Sequence, residues 1–202
     1  LTLKGSIDTT QEKLEEKIRK AQIRLKEFSI KYGWENNIQK QFLNNIYIYD
    51  NQSKLINKLV EITNFNKEDF PEKISAVTKN RILYILSPKA YLKVYPEGNE
   101  DKAYEKLITH ELAHQLHLRI LNGKDELMGP IWFYEGFAVF AADQFKNYNL
   151  ESSVIWEVIK SEERISYKYY GAIIRFLLNK TTLNQLVEKA KKEDFIDWIT
   201  NL

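Results

Sequence analysis

The amino-acid sequence predicts an α+β fold: a small mixed sheet followed by a mostly helical half. Three observations carry that expectation. Short runs rich in Ile, Val and Tyr, bounded by polar and turn-forming residues, fall in the first hundred positions. Apolar residues at helical spacing dominate the second hundred. The 202 residues, 44% of them hydrophobic, suit a single domain with a real core.

The elements follow in order. Over residues 9–31, Leu14, Ile18, Leu25 and Phe28 recur at helical spacing among Lys and Glu. Asp8 or Thr9 is placed to cap this N-terminal helix, which belongs to the single domain spanning residues 1–202. Residues 45–50 have the β-propensity of a short strand, and residues 53–63 return to helical spacing. Residues 73–78, 81–86 and 90–95 read as strands separated by Asn80 and by Ser87-Pro88. Pro96-Glu97-Gly98-Asn99 breaks the pattern. A helix then runs from about residue 100 to 121, with Gly123 as its stop signal. Leu107, Leu112, Ala113, Leu116 and Ile120 give it apolar surface on several sides, so it should be central and largely buried. A loop over 122–129 leads to Pro130, which opens a helix reaching about residue 145. Helices over 152–162, 166–179, 182–192 and 194–200 complete the chain.

Composition narrows the function. A formal charge of +2 gives no argument for nucleic acid or an anionic membrane. No apolar run approaches the roughly 20 residues of a membrane span. There is no cysteine, so disulfides and thiolate ligands are excluded, and any metal must be held by His, Asp or Glu. The same composition suits a secreted or cell-surface bacterial protein with its signal removed, and equally a cytoplasmic one.

His110-Glu111-Leu112-Ala113-His114 reads H-E-x-x-H in a chain with only three histidines. Chance would give this pattern on the order of a few times per thousand such chains. On a helix, residues four apart share a face, so both imidazoles can point a nitrogen at one Zn²⁺. Glu111 can then reach a water beside the ion and act as general base. A catalytic zinc needs a third protein ligand, and His117 or a carboxylate farther on could supply it. Glu135 is the better choice. It lies on the next apolar helix, within Trp132-Phe133-Tyr134-Glu135-Gly136-Phe137-Ala138, where a buried charge is costly without a partner. His117 would crowd the same helix turn as the other two histidines, so a structural or supporting role is expected for it.

At these residues the chain resembles the gluzincin peptidases, especially the branch of the aminopeptidases and leukotriene hydrolase. Their pattern is H-E-x-x-H, about eighteen residues, then N-E-G-F-A. Here the interval is twenty, and Tyr134 stands where the family has Asn. The resemblance covers roughly residues 80–180. It implies a zincin-like catalytic domain in which His110, His114 and Glu135 bind Zn²⁺, Glu111 is the base, and the substrate is a peptide or protein. It also implies a catalytic tyrosine that opens a helix. Aligning the family's apolar run on Phe176-Leu177 puts Tyr167 there, with Tyr169 and Tyr170 as competitors. Such a hydroxyl would donate to the oxyanion of the attacked carbonyl. By the same likeness a carboxylate should orient one ligand histidine, and Asp143 is the candidate by location, a plain surface aspartate being the alternative. The family's G-x-M-E-N-like segment, which holds a free amino terminus, is missing. That favours an endopeptidase, with residues 81–95 as an edge strand for an extended peptide. A peptidase-like module without activity is the competing expectation, but the full set of Glu111 and three ligand candidates argues against it. An accidental motif on a structural helix is a third.

Overall fold

The computed structural model describes residues 2–4, 11–96, 102–161 and 163–202. Its architecture is mixed α and β. Strand β1 (Thr2–Lys4) precedes helix α1 (Gln11–Lys31). Strand β2 (Asn45–Tyr49) is followed by α2 (Gln52–Ile62). Next come β3 (Ala76–Lys79), β4 (Ile82–Leu86) and the short helix α3 (Pro88–Val94). The helical half holds α4 (Ala103–Ile120), α5 (Ile131–Ala141), α6 (Ser152–Lys160), α7 (Tyr167–Leu177), α8 (Leu183–Ala190) and α9 (Phe195–Thr200). The proposed caps Asp8 and Thr9, and the break at residues 97–99, lie outside the described residues.

The sheet is mixed and ordered β1-β2-β4-β3. β1 with β2 and β2 with β4 are parallel, so α1 and α2 are the crossovers that parallel pairing requires. β3 and β4 form an antiparallel hairpin. Its two turn residues, Asn80 and Arg81, both adopt left-handed φ values of 51° and 61°. That conformation matches the twist of the flanking strands. The strand order follows from sequence. Ile82-Leu83-Tyr84-Ile85-Leu86 is apolar on both faces and takes an inner place. Ala76-Val77-Thr78-Lys79 is only half-buried and takes the edge.

The expectation of a strand over residues 90–95 is corrected: residues 90–94 belong to α3 and Tyr95 caps it. Ser87 accepts a hydrogen bond from the Ala90 amide and Pro88 fills the first turn, so Ser-Pro starts a helix here. The edge strand is likewise β3. Residues 81–95 do not provide it, because β4 is paired on both sides.

α4 is the hub of the molecule. It packs against α1, α5 and the edge strand β3. Leu112, Ala113 and Leu116 are fully buried on it. α5 in turn packs against α7 more extensively than any other pair of elements among the described residues. Gly136 permits this approach, since a Cβ there would stand 2.8 Å from the Tyr170 carbonyl oxygen. Close packing of α5 on α7 is what brings the start of α7 over the residue at position 135.

Candidate metal centre

His110 and His114 lie one turn apart on α4 and face α5, where Glu135 is buried. The three ligand atoms form a compact triangle. His110 Nε2 and His114 Nε2 are 3.1 Å apart, and each stands 3.2 or 3.3 Å from Glu135 Oε2. A tetrahedral ion with bonds of about 2.0–2.1 Å needs ligand atoms about 3.3 Å apart. The residues present therefore fit a small divalent ion, and this group could hold one. Burial alone would raise the Glu135 carboxyl, but hydrogen bonding to His110 and His114 outweighs it and holds the group well below the usual carboxylate range.

His110 is fixed from behind. Its Nδ1 lies 3.0 Å from Oε1 of buried Gln144, which is the contact that would orient the ring and set its tautomer. Asp143, the sequence candidate for this task, points elsewhere and pairs with Arg24 at 3.2 Å. The reason is the way α5 ends. The Gln144 amide bonds to Val139 O and the Asp143 amide to Phe140 O, with Asp143 at φ 56°. That is a Schellman ending with aspartate in the left-handed position usually given to glycine. Gln144, the next residue, is turned inward.

Glu111 is buried beside the triangle and is held by the edge strand. The Thr78 hydroxyl donates to its Oε2 at 3.3 Å, and the Thr78 backbone amide also meets the carboxylate. Burial pushes the Glu111 carboxyl up to about 7, against the pull of the His110 charge.

Tyr167 opens α7, and its ring stands edge-on to His110 at 5.7 Å. Burial and the Glu135 charge raise its phenol far above the ordinary value, so it keeps its proton. The competing tyrosines point elsewhere. Tyr169 stacks on Tyr148, and the Tyr170 hydroxyl accepts from the Ile165 amide. His117 is not beside the triangle. It is fully buried and stacked on Phe137 at 4.5 Å, and neither ring nitrogen has a hydrogen-bond partner among the described residues.

Four residues of the site were given no role by the sequence reading: Thr78, Tyr134, Gln144 and Arg164. Tyr134 stands 6.0 Å from the His114 ring. Arg164 pairs with Glu135 Oε1 at 3.1 Å. None of the four sits in a pattern that spacing could single out. The triangle opens on a cleft of about 800 Å³. One wall is β3, the others α4 and the starts of α5 and α7, and Phe70, Ile74, Tyr91, Tyr95 and Leu107 give much of it an apolar surface. No helix among the described residues is long and apolar enough to cross a membrane.

No protein-family model matches this chain, and neither does any curated protein or solved structure.

Proposed function

We propose that this protein is a zinc-dependent peptidase of the gluzincin type, with a zincin-like catalytic domain. The observation that carries the reading is the triangle of His110 Nε2, His114 Nε2 and Glu135 Oε2, whose edges of 3.1, 3.2 and 3.3 Å suit a tetrahedral ion. Three protein ligands leave one position open, as a catalytic site needs. Bound there, zinc would polarise a carbonyl and lower the pKa of a water at its open position.

The chain's own residues divide the remaining work. Glu111 takes the proton from the attacking water and passes it to the leaving amine. Its bonds to Thr78 keep the carboxylate aimed from the strand side. Tyr167, still protonated, donates to the substrate oxygen that gains charge as the carbon is attacked. Gln144 holds His110 Nδ1, which would leave Nε2 free to hold an ion.

The substrate class follows from the strand wall. Ser75 O accepts from the Leu86 amide, so residues 76 and 78 turn their backbone groups away from β4. Both residues line the cleft. An extended peptide can add to this edge as a further strand. The sequence lacks the G-x-M-E-N-like segment by which the resembled family holds a free amino terminus, and an endopeptidase is the reading favoured.

The test is cleavage-site profiling of zinc-loaded protein on a peptide library, against its Glu111→Gln variant. The variant should keep the metal and lose roughly 10²–10⁴-fold in rate, the usual share of a positioned base. Equal activity in both would remove Glu111 from the mechanism. Zinc uptake with no cleavage by the parent would favour the inactive peptide-binding module instead.

A further inference from the structure

Arg164 touches two groups of the site at once. Its Nη1 donates to the Tyr167 hydroxyl at 2.6 Å and pairs with Glu135 Oε1 at 3.1 Å. The first contact is a hydrogen bond and the second an ion pair. The Tyr134 phenol meets the same guanidinium. One side chain thus joins the third metal-ligand candidate to both tyrosines that flank the histidine pair.

We propose that Arg164 is a positioning residue that makes Glu135 a one-oxygen ligand and makes Tyr167 a hydrogen-bond donor. The inference rests on the metallopeptidase reading. Its first half follows from the division of the carboxylate. Oε2 faces both histidines, while Oε1 is held by the guanidinium, so only one oxygen is left for an ion. Its second half follows from hydrogen-bond chemistry. A guanidinium has five donors and no acceptor. The Tyr167 oxygen must therefore accept from Arg164, and its own proton is left over for another oxygen. A neutral amide in the same place could accept that proton and silence the donor.

Arg164 stands in the segment between α6 and α7, and its side chain is 41% exposed. Replacing it should leave the packing of the core intact. Tyr167 is a donor in this scheme because of the company it keeps, and not because of its ring alone.

The experiment uses the whole chain with zinc as the probe, competed against a chromophoric chelator. Parent, Arg164→Met and Arg164→Lys are compared, with cobalt-loaded samples for visible spectra. Arg164→Met should weaken zinc binding by about 10-fold or more, as loss of a group behind a metal ligand does. Its cobalt spectrum should lose intensity, because a freed Oε1 raises the coordination number. Arg164→Lys should recover most of the zinc affinity, since an ammonium can still hold Oε1. In kinetics, Arg164→Met should lower kcat with little change in KM. Adding Tyr167→Phe to it should cost little more, because the hydroxyl has already lost its orientation. A parent that binds zinc while Arg164→Met binds it as tightly or more tightly overturns the inference and leaves the metallopeptidase reading standing. So do kinetic losses that simply add. A parent that binds no zinc brings down both.

Discussion

His117 sits in the core with no partner for either ring nitrogen among the described residues, and burial pushes its pKa down to about 3. In the unfolded chain the ring titrates near 6.5, so between these values the unfolded state binds the extra proton. Its contribution to stability is complete above about pH 6.5 and is lost as pH falls toward about 3. His117→Leu removes this dependence and leaves no buried polar group behind. Urea titrations of metal-free protein should show stability rising less with pH in the variant than in the parent across that window. The slope should differ by at most about 1.4 kcal/mol per pH unit. A parallel pair of profiles would mean that His117 is not buried neutral. Tyr167→Phe acts on a different quantity. It keeps the ring and removes the donor, so kcat should fall by about 3 kcal/mol of transition-state stabilisation while KM barely changes. Tyr169→Phe should be silent, because that ring stacks on Tyr148 away from the triangle. A kcat defect in Tyr169→Phe but not in Tyr167→Phe would contradict the geometry. At this scale, the pairing of His110 with His114 was legible because a helix places residues four apart on one face. Glu135 was legible because a carboxylate in an apolar helix needs a partner. Gln144 and Arg164 were not, since each meets a ligand candidate more than twenty residues away in sequence and neither residue type announces it.

Between elements, the contact of α5 with α7 sets the distance from Glu135 to Tyr167. A Cβ at Gly136 would meet backbone atoms of Tyr170 at 2.8 and 3.2 Å, and backbone cannot rotate away. Gly136→Ala should therefore push α7 outward and cost about 1–3 kcal/mol, the usual range for overpacking. For a domain of this size that is a fall in melting temperature of roughly 2–4 °C per kcal/mol. Calorimetry of the metal-free protein measures it, and an unchanged midpoint would show that the helices are not in such close contact. Most elements were legible because their apolar spacing is regular, and α1, α4 and β2 begin or end within a few residues of expectation. α3 was not, because Ala90-Tyr91-Leu92-Lys93-Val94 mixes strand and helix formers. The decisive signal was the Ser87 cap with Pro88 behind it, a pair that also marks loops. Asp143 shows the same limit at the other end of a helix. An aspartate in a left-handed cap reverses which neighbour faces the core, and sequence alone gives no sign of that reversal.

Across the whole molecule, a sheet of mixed direction supplies an edge strand, and a buried hub helix carries the histidines between that edge and α5. The α+β class was legible from the change of period along the chain. The strand order β1-β2-β4-β3 was not, because alternation identifies strands but does not choose their partners. A strand, the hub helix and two further helices converge on one cleft. The most direct test of the account is zinc stoichiometry combined with X-ray absorption on the reconstituted protein. The account predicts about one zinc per chain, with nitrogen and oxygen neighbours at about 2.0–2.2 Å, two of them imidazoles. His110→Ala and His114→Ala should each abolish tight binding, and Glu135→Ala should weaken it far more than His117→Ala. A parent that retains no zinc, or one whose zinc survives loss of His110, would contradict it.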